Sequence, residues 1–197
     1  VKGCYNEENF DKIYLNVLEG LESLKENSPF ELGSLELQVN DLDETDWVNE
    51  WKKYYKPIHI GNIVIVPKWI KYQPQQNEVV VLMDPGMAFG TGNHESTRLC
   101  LQLFSELNAT DKKVVDIGAG SGILGITASL CGAKQVYLSD IAPLAVKACE
   151  ENVQLNNVTN ATITMADLID NATIKGDIVF ANITADILIS LANNIGK

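Results

Sequence analysis

The sequence predicts an α/β fold, a doubly wound parallel sheet preceded by part of a small α+β domain, and three observations carry that expectation. From residue 79 onward, short continuous apolar runs alternate with stretches of helical periodicity. Strands of that kind are buried on both faces and joined by right-handed helical crossovers, as in a parallel sheet. Four of the runs lead into Asp116, Asp140, Asp167 and Asn182, which gathers polar residues at one edge. Ligands of open α/β sheets bind at the carboxyl ends of the strands, so that edge is the predicted site. The third observation is Asp116-Ile117-Gly118-Ala119-Gly120-Ser121-Gly122, which follows an apolar run and opens a helix. Its glycines permit a tight turn and a close approach of backbone to ligand.

The elements follow in order. Phe10, Ile13, Tyr14, Val17, Leu18, Leu21 and Leu24 fall on one face of a helix over 7–26, which Ser28-Pro29 and Gly33 end. Leu35, Leu37 and Val39 alternate with Glu36 and Gln38, the pattern of a half-buried strand. Helix and strand together suggest a partial α+β domain over 1–45. An acidic stretch (Asp41, Asp43, Glu44, Asp46) then leads into Trp47, Trp51 and Tyr54, whose spacing predicts an aromatic-striped linker helix over 46–57. The third domain, 58–197, opens with Ile58-His59-Ile60 and Ile63-Val64-Ile65-Val66 around Gly61-Asn62, a two-residue hairpin turn. His59 alternates with isoleucines and reads as a strand residue rather than a ligand. Strands into Asp116, Asp140, Asp167 and Asn182 alternate with helices near 123–131, 143–156 and 185–194.

Composition narrows the classes of function. The formal net charge of −11 repels phosphate backbones, so a basic protein or a small cation is the expected partner and nucleic acid is not. No apolar run reaches the length of about 18 residues that a spanning helix needs. The four cysteines form no C-x-x-C pair and mostly have core-like neighbours, which predicts reduced thiols and a cytoplasmic protein. With only His59 and His94 available, no metal site is expected. The absence of an initiator Met, and an end at Gly196-Lys197 where a fifth strand is due, suggest a chain cut at both ends.

The glycine segment has competing readings. Gly120, Gly122 and Gly125 spell the dinucleotide fingerprint G-x-G-x-x-G, but that motif wants its first glycine directly at the strand end. Here Asp116 and Gly118 come first and displace the frame by two residues. Asp140, at the tip of the next strand, can accept hydrogen bonds from both hydroxyls of a ribose or cap the helix beginning near Pro143. Asp167 can accept from an adenine amino group or serve as a turn cap.

The motif D-x-G-x-G-x-G resembles that of the class I methyltransferases, whose sheet is Rossmann-like. More specific is the run Asp84-Pro85-Gly86-Met87-Ala88-Phe89-Gly90-Thr91-Gly92-Asn93-His94. Joined by the linker residues (Trp47, Trp51, Lys52, Tyr54, Tyr55, Lys56, Pro57) and by Ala181-Asn182-Ile183-Thr184-Ala185, it resembles the bacterial ribosomal protein L11 methyltransferases over almost the whole chain. The resemblance implies transfer of methyl groups from S-adenosylmethionine to lysine and N-terminal amines of that ribosomal protein. It also implies that the small N-terminal domain recognises the protein substrate. Carried over position by position, it implies cofactor contacts from Thr97, Gly118, Asp140 and Asn182, beside Asp116, Gly120 and Asp167 of the strand ends. The family commonly has Thr-His-Pro-Thr-Thr where this chain has Asn93-His94-Glu95-Ser96-Thr97, a departure that bears on local stiffness.

Chemical expectations follow. The glycines of Phe89-Gly90-Thr91-Gly92 let that segment close over the cofactor, with Phe89 and Thr91 in contact, or else form a static turn. His94 reads as a helix-start residue rather than a base. Methyl transfer from a sulfonium asks mainly for a neutral amine held in line. Asn182 is the expected catalytic residue, its amide oxygen orienting the amine, with a helix N-cap as the alternative. Related amine methyltransferases carry Pro-Pro after this position, and Ile183-Thr184 argues against glutamine-amide and adenine targets. The alternatives are a class I methyltransferase acting on another protein, a small amine or RNA, and a non-catalytic cofactor-binding module.

Overall fold

A computed structural model describes residues 10–30, 33–37, 39, 52, 55–84, 94–166 and 175–192. The chain divides into two units, Val1–Glu50 and Trp51–Lys197. In the first, α1 (Phe10–Asn27) forms where the apolar periodicity places it, and none of its residues is buried. The strand expected over Leu35–Val39 does not form among the described residues of that segment. Leu35 takes a left-handed φ of +48, which breaks an extended run. Leu37 and Val39 stay exposed. Alternation marks a strand only where a neighbouring strand takes its backbone groups, and the described part of this unit contains none.

The second unit contains two sheets. β1 (Ile58–Ile60) and β2 (Ile63–Pro67) form the expected antiparallel hairpin, with Ile58 opposite Ile65. Gly61 supplies the positive φ of +59 that its turn requires. β3 (Val79–Met83) then adds parallel to β2, giving the order β1-β2-β3. Every residue of β2 is buried, as its unbroken apolar run demands.

After α2 (Glu95–Ser105) come β4 (Lys113–Ile117), α3 (Ile123–Leu130), β5 (Gln135–Asp140), α4 (Pro143–Leu155), β6 (Ala161–Met165), β7 (Ile178–Ala181) and α5 (Ala185–Ala192). The four strands are parallel and ordered β6-β5-β4-β7. The chain therefore steps outward from β4 through β5 to β6, then returns to place β7 on the other side of β4. That reversal is a topological switch point, where such sheets open a crevice at the carboxyl ends of their strands. This is a Rossmann-like parallel sheet, the class the sequence predicts. Helix α3 contacts β3, β4 and β5, and α4 contacts β3, β5 and β6, so both helices join the two sheets. One apolar cluster unites Ile63, Ile65 and Val81 with Val114, Val136 and Leu138. Phe104 of α2 meets Phe180 of β7 edge-on within it, centroids 5.3 Å apart. Among the described residues no helix is long and apolar enough to cross a membrane.

Candidate functional site

The glycine segment leaves β4 at the switch point. Asp116 lies inside the strand, 1% exposed, and its Oδ2 accepts the Gly125 N–H at 2.9 Å, which ties the strand end to the first turn of α3. Burial pushes its carboxyl up to about 7; the Gly125 N–H partly opposes this, and the charge of Asp140 adds to it. Gly118, Gly120 and Gly122 all have positive φ, +67, +55 and +80. At Gly118 space is as demanding as conformation, because a Cβ there would stand 2.4 Å from Cγ2 of Ile183. The backbone of the loop is thus packed directly against the residue after Asn182.

Asp140 ends β5 beside this loop. Its Oδ2 accepts the Gly120 N–H at 2.8 Å and its Oδ1 accepts the Ala142 N–H at 2.9 Å. The second bond is made to the N-cap residue of α4, ahead of Pro143, and that helix has no side-chain cap. Each carboxylate oxygen keeps acceptor capacity after one bond, so the side chain can hold the loop and still take a hydroxyl. Around it Ile141, Leu144 and Met165 are 65%, 66% and 61% exposed, an apolar rim that reasoning from strand ends alone missed. Met165 stands opposite Asp140 in the β5–β6 register.

Thr97 and Asn182 meet across 85 residues of sequence: the Asn182 Nδ2 donates to Thr97 Oγ1 at 3.2 Å. Thr97 lies in the first turn of α2, 1% exposed. The helix start is set by His94, an N-cap whose Nδ1 accepts the Ser96 N–H, in line with the reading of His94 as a helix-start residue. Asn182 is not the cap of α5, since that helix begins at Ala185 and the Thr184 carbonyl accepts its first hydrogen bond, from Leu188. With Nδ2 turned to Thr97, Oδ1 is the acceptor end of the amide.

A family model described as Ribosomal protein L11 methyltransferase (PrmA) matches residues 3–197. The chain belongs to the ribosomal protein L11 methyltransferase family. It is 47% identical over 199 residues to a ribosomal protein L11 methyltransferase of Clostridium perfringens, an alignment covering 100% of this chain and 63% of that protein. It is 45% identical over 168 residues to one from Thermoanaerobacter pseudethanolicus, over 85% of this chain and 54% of that protein. The crystal structure of a ribosomal protein L11 methylase from Lactobacillus delbrueckii subsp. bulgaricus matches with a TM-score of 0.66 and 36% identity. That match covers 72% of this chain and 73% of the other. The chain thus spans less than two thirds of the length of the curated relatives it matches, 63% of the first.

In this L11 methyltransferase family member, Gly118, Gly120, Asp116 and Asp140 gather at one strand edge, and Thr97 and Asn182 pair with each other. Phe89, Thr91 and Asp167 lie outside the described residues, as do Trp47, Trp51 and Tyr54 of the linker. Reasoning from sequence missed Asn152 on α4 and Asn156, its C-cap. Asn152 Oδ1 accepts the Asp84 N–H at 2.9 Å, and its Nδ2 donates to the Ser121 carbonyl at 3.0 Å. Asn156 bonds both backbone groups of Leu82, at 2.8 and 2.7 Å. Two asparagines spaced i, i+4 within a helical pattern were the available signal. Asp84 is also held by Lys68, whose ammonium pairs with its Oδ2.

His59 Nδ1 stands 3.6 Å from Glu78, whose carboxylate accepts from the Gln75 N–H and the Tyr72 hydroxyl. Those two bonds hold Glu78 below its ordinary carboxylate range. Among the described residues no group of His, Cys, Asp and Glu suits a metal. Burial, with lesser contributions from Asp116, Asp140 and Glu150, pushes the Cys149 thiol up to about 12, so it is no nucleophile at neutral pH.

Proposed function

We propose that this chain is the cofactor-binding and catalytic part of an S-adenosylmethionine-dependent protein N-methyltransferase acting on lysine and N-terminal amines of ribosomal protein L11. Residues 58–197 form the catalytic domain, 46–57 the linker and 1–45 part of the substrate-recognition domain. The observation that carries the reading is the hydrogen bond from Asn182 to Thr97, made one residue before Ile183, whose side chain packs on Gly118 of the glycine loop.

The residues present suit the cofactor. Gly118, Gly120 and Gly122 carry the turn through positive φ values of +67, +55 and +80, which glycine adopts freely and which let backbone come close to a ligand. Asp140 has acceptor capacity left for the vicinal hydroxyls of a ribose. Ile141, Leu144 and Met165 offer an apolar rim to a flat purine. S-adenosylmethionine, when bound, supplies a methyl group activated on a sulfonium. Everything else falls to the chain. Asn182 Oδ1 accepts an N–H of the incoming amine and turns its lone pair inward, while the bond to Thr97 fixes the rotamer of the amide. The amine must arrive neutral, and an amide acceptor discriminates against nothing but misorientation, so positioning carries the rate.

The formal net charge of −11 favours a basic protein substrate over RNA. Calorimetry tests the cofactor assignment. S-adenosylmethionine binds and NAD does not, and Asp140→Ala weakens binding by about 1–3 kcal/mol through the lost hydrogen bonds. Supplying the full-length enzyme and labelled cofactor with L11, naked ribosomal RNA and a polyamine tests the substrate. Label mainly in RNA refutes the protein assignment, and equal labelling of the polyamine refutes selectivity through the small domain.

A further inference from the structure

We propose that Asn152 is a positioning residue of this site, a buried strut that holds the glycine loop in one fixed relation to Asp84 at the end of β3. The proposal rests on the reading of that loop as the S-adenosylmethionine site. On α4 the buried residues are Ala145, Cys149 and Asn152, so the amide occupies the core-facing stripe of the helix. An asparagine there sacrifices helix propensity and must find partners for a buried amide, which an apolar residue avoids.

Both ends of the amide are used. Nδ2 donates to the Ser121 carbonyl inside the glycine loop, and Oδ1 accepts from the Asp84 N–H. One turn earlier on the same stripe, Cys149 Sγ lies 2.6 Å from where a Cβ of Gly122 would stand, so α4 supports the loop at two points. Asp84 is itself gripped from a second direction by Lys68. Asn152 therefore links the glycine loop to Asp84, the residue after β3. Asn156 provides an internal comparison: it lies one turn further on, and its side chain bonds Leu82 of the same β3 and the Asn152 carbonyl.

The experiment compares Asn152→Leu with Asn156→Leu, reading S-adenosylmethionine affinity by calorimetry, Tm, and amide exchange at Asp84. Asn152→Leu is expected to weaken affinity about tenfold and to speed exchange at Asp84, the scale of a lost pair of buried hydrogen bonds. Asn156→Leu is expected to lower Tm while leaving affinity within about twofold. Should Asn152→Leu fail to fold, Asn152→Asp keeps the acceptor for Asp84 and loses the donor to Ser121, and its affinity falls in the same direction. Unchanged affinity in the folded Asn152 variants, or an equal loss in Asn156→Leu, overturns the proposal. Absence of binding by the unsubstituted protein overturns the site reading itself, and the proposal with it.

Discussion

Gly118→Ala puts the packing of the glycine loop to a quantitative test. The residue sits at φ +67, where an L side chain costs about 1–2 kcal/mol. The added Cβ would lie 2.4 Å from Ile183 Cγ2, against an ordinary carbon–carbon contact of about 3.5–4.0 Å, so a gap of about 1 Å must open. Ile183 is β-branched and stiff at χ1, so relief comes either off-rotamer, at about 0.5–1.5 kcal/mol, or by shifting the segment that carries Asn182. The sum is a loss of about 1.5–3.5 kcal/mol in unfolding free energy, with weaker cofactor binding expected beside it. Ile183→Ala separates the two contributions. The Cβ of Ile183 is 3.9 Å from the new methyl, an ordinary contact, so truncation removes the clash and leaves only the backbone cost. In that background Gly118→Ala should cost about 1–2 kcal/mol, a coupling of about 0.5–1.5 kcal/mol measured by urea unfolding of the four proteins. An identical cost in both backgrounds would refute the clash, and a neutral Gly118→Ala would refute the whole account of the loop.

Two further outcomes are expected. Asp116 is pushed up to about 7 from an ordinary 3.8, so the folded state holds a proton that the unfolded chain has lost between those values. Its contribution to stability is therefore present below about pH 4 and is lost as pH rises toward 7, with a slope approaching 1.4 kcal/mol per pH unit at about mid-window. Asp116→Asn keeps an oxygen for the Gly125 N–H and should flatten that part of the pH profile; parallel profiles of the two proteins from pH 4 to 8 would refute the assignment. Asn182→Ala in the full-length enzyme should lower the methyl-transfer rate while changing unfolding free energy by no more than about 1 kcal/mol, the worth of its bond to Thr97. Early melting with a fully active folded fraction would make Asn182 structural.

The sequence by itself determined the elements and the chemistry-bearing loop. Periodicity distinguishes α3, α4 and α5 from the strands between them because burial repeats with the geometry of each element. The hairpin turn at Gly61 and the loop at Gly118–Gly122 were legible because positive φ is a local demand that glycine meets. Only the tertiary structure decided which strand ends meet. The order β6-β5-β4-β7 brings Ile183 onto Gly118 and Asn182 to Thr97, partners that no local pattern connects. It likewise decided that Asp140 bonds the loop as well as ending a strand, and that Asn152 reaches both Ser121 and Asp84. Among the described residues the alternation at Leu35–Val39 forms no strand, with Leu35 at φ +48 and Leu37 and Val39 exposed, because alternation alone does not supply a pairing neighbour. Pairing is selected by burial across the whole unit, and apolar runs such as β2 and β4 fit several neighbours equally well until the core around Val114, Val136 and Leu138 closes over them.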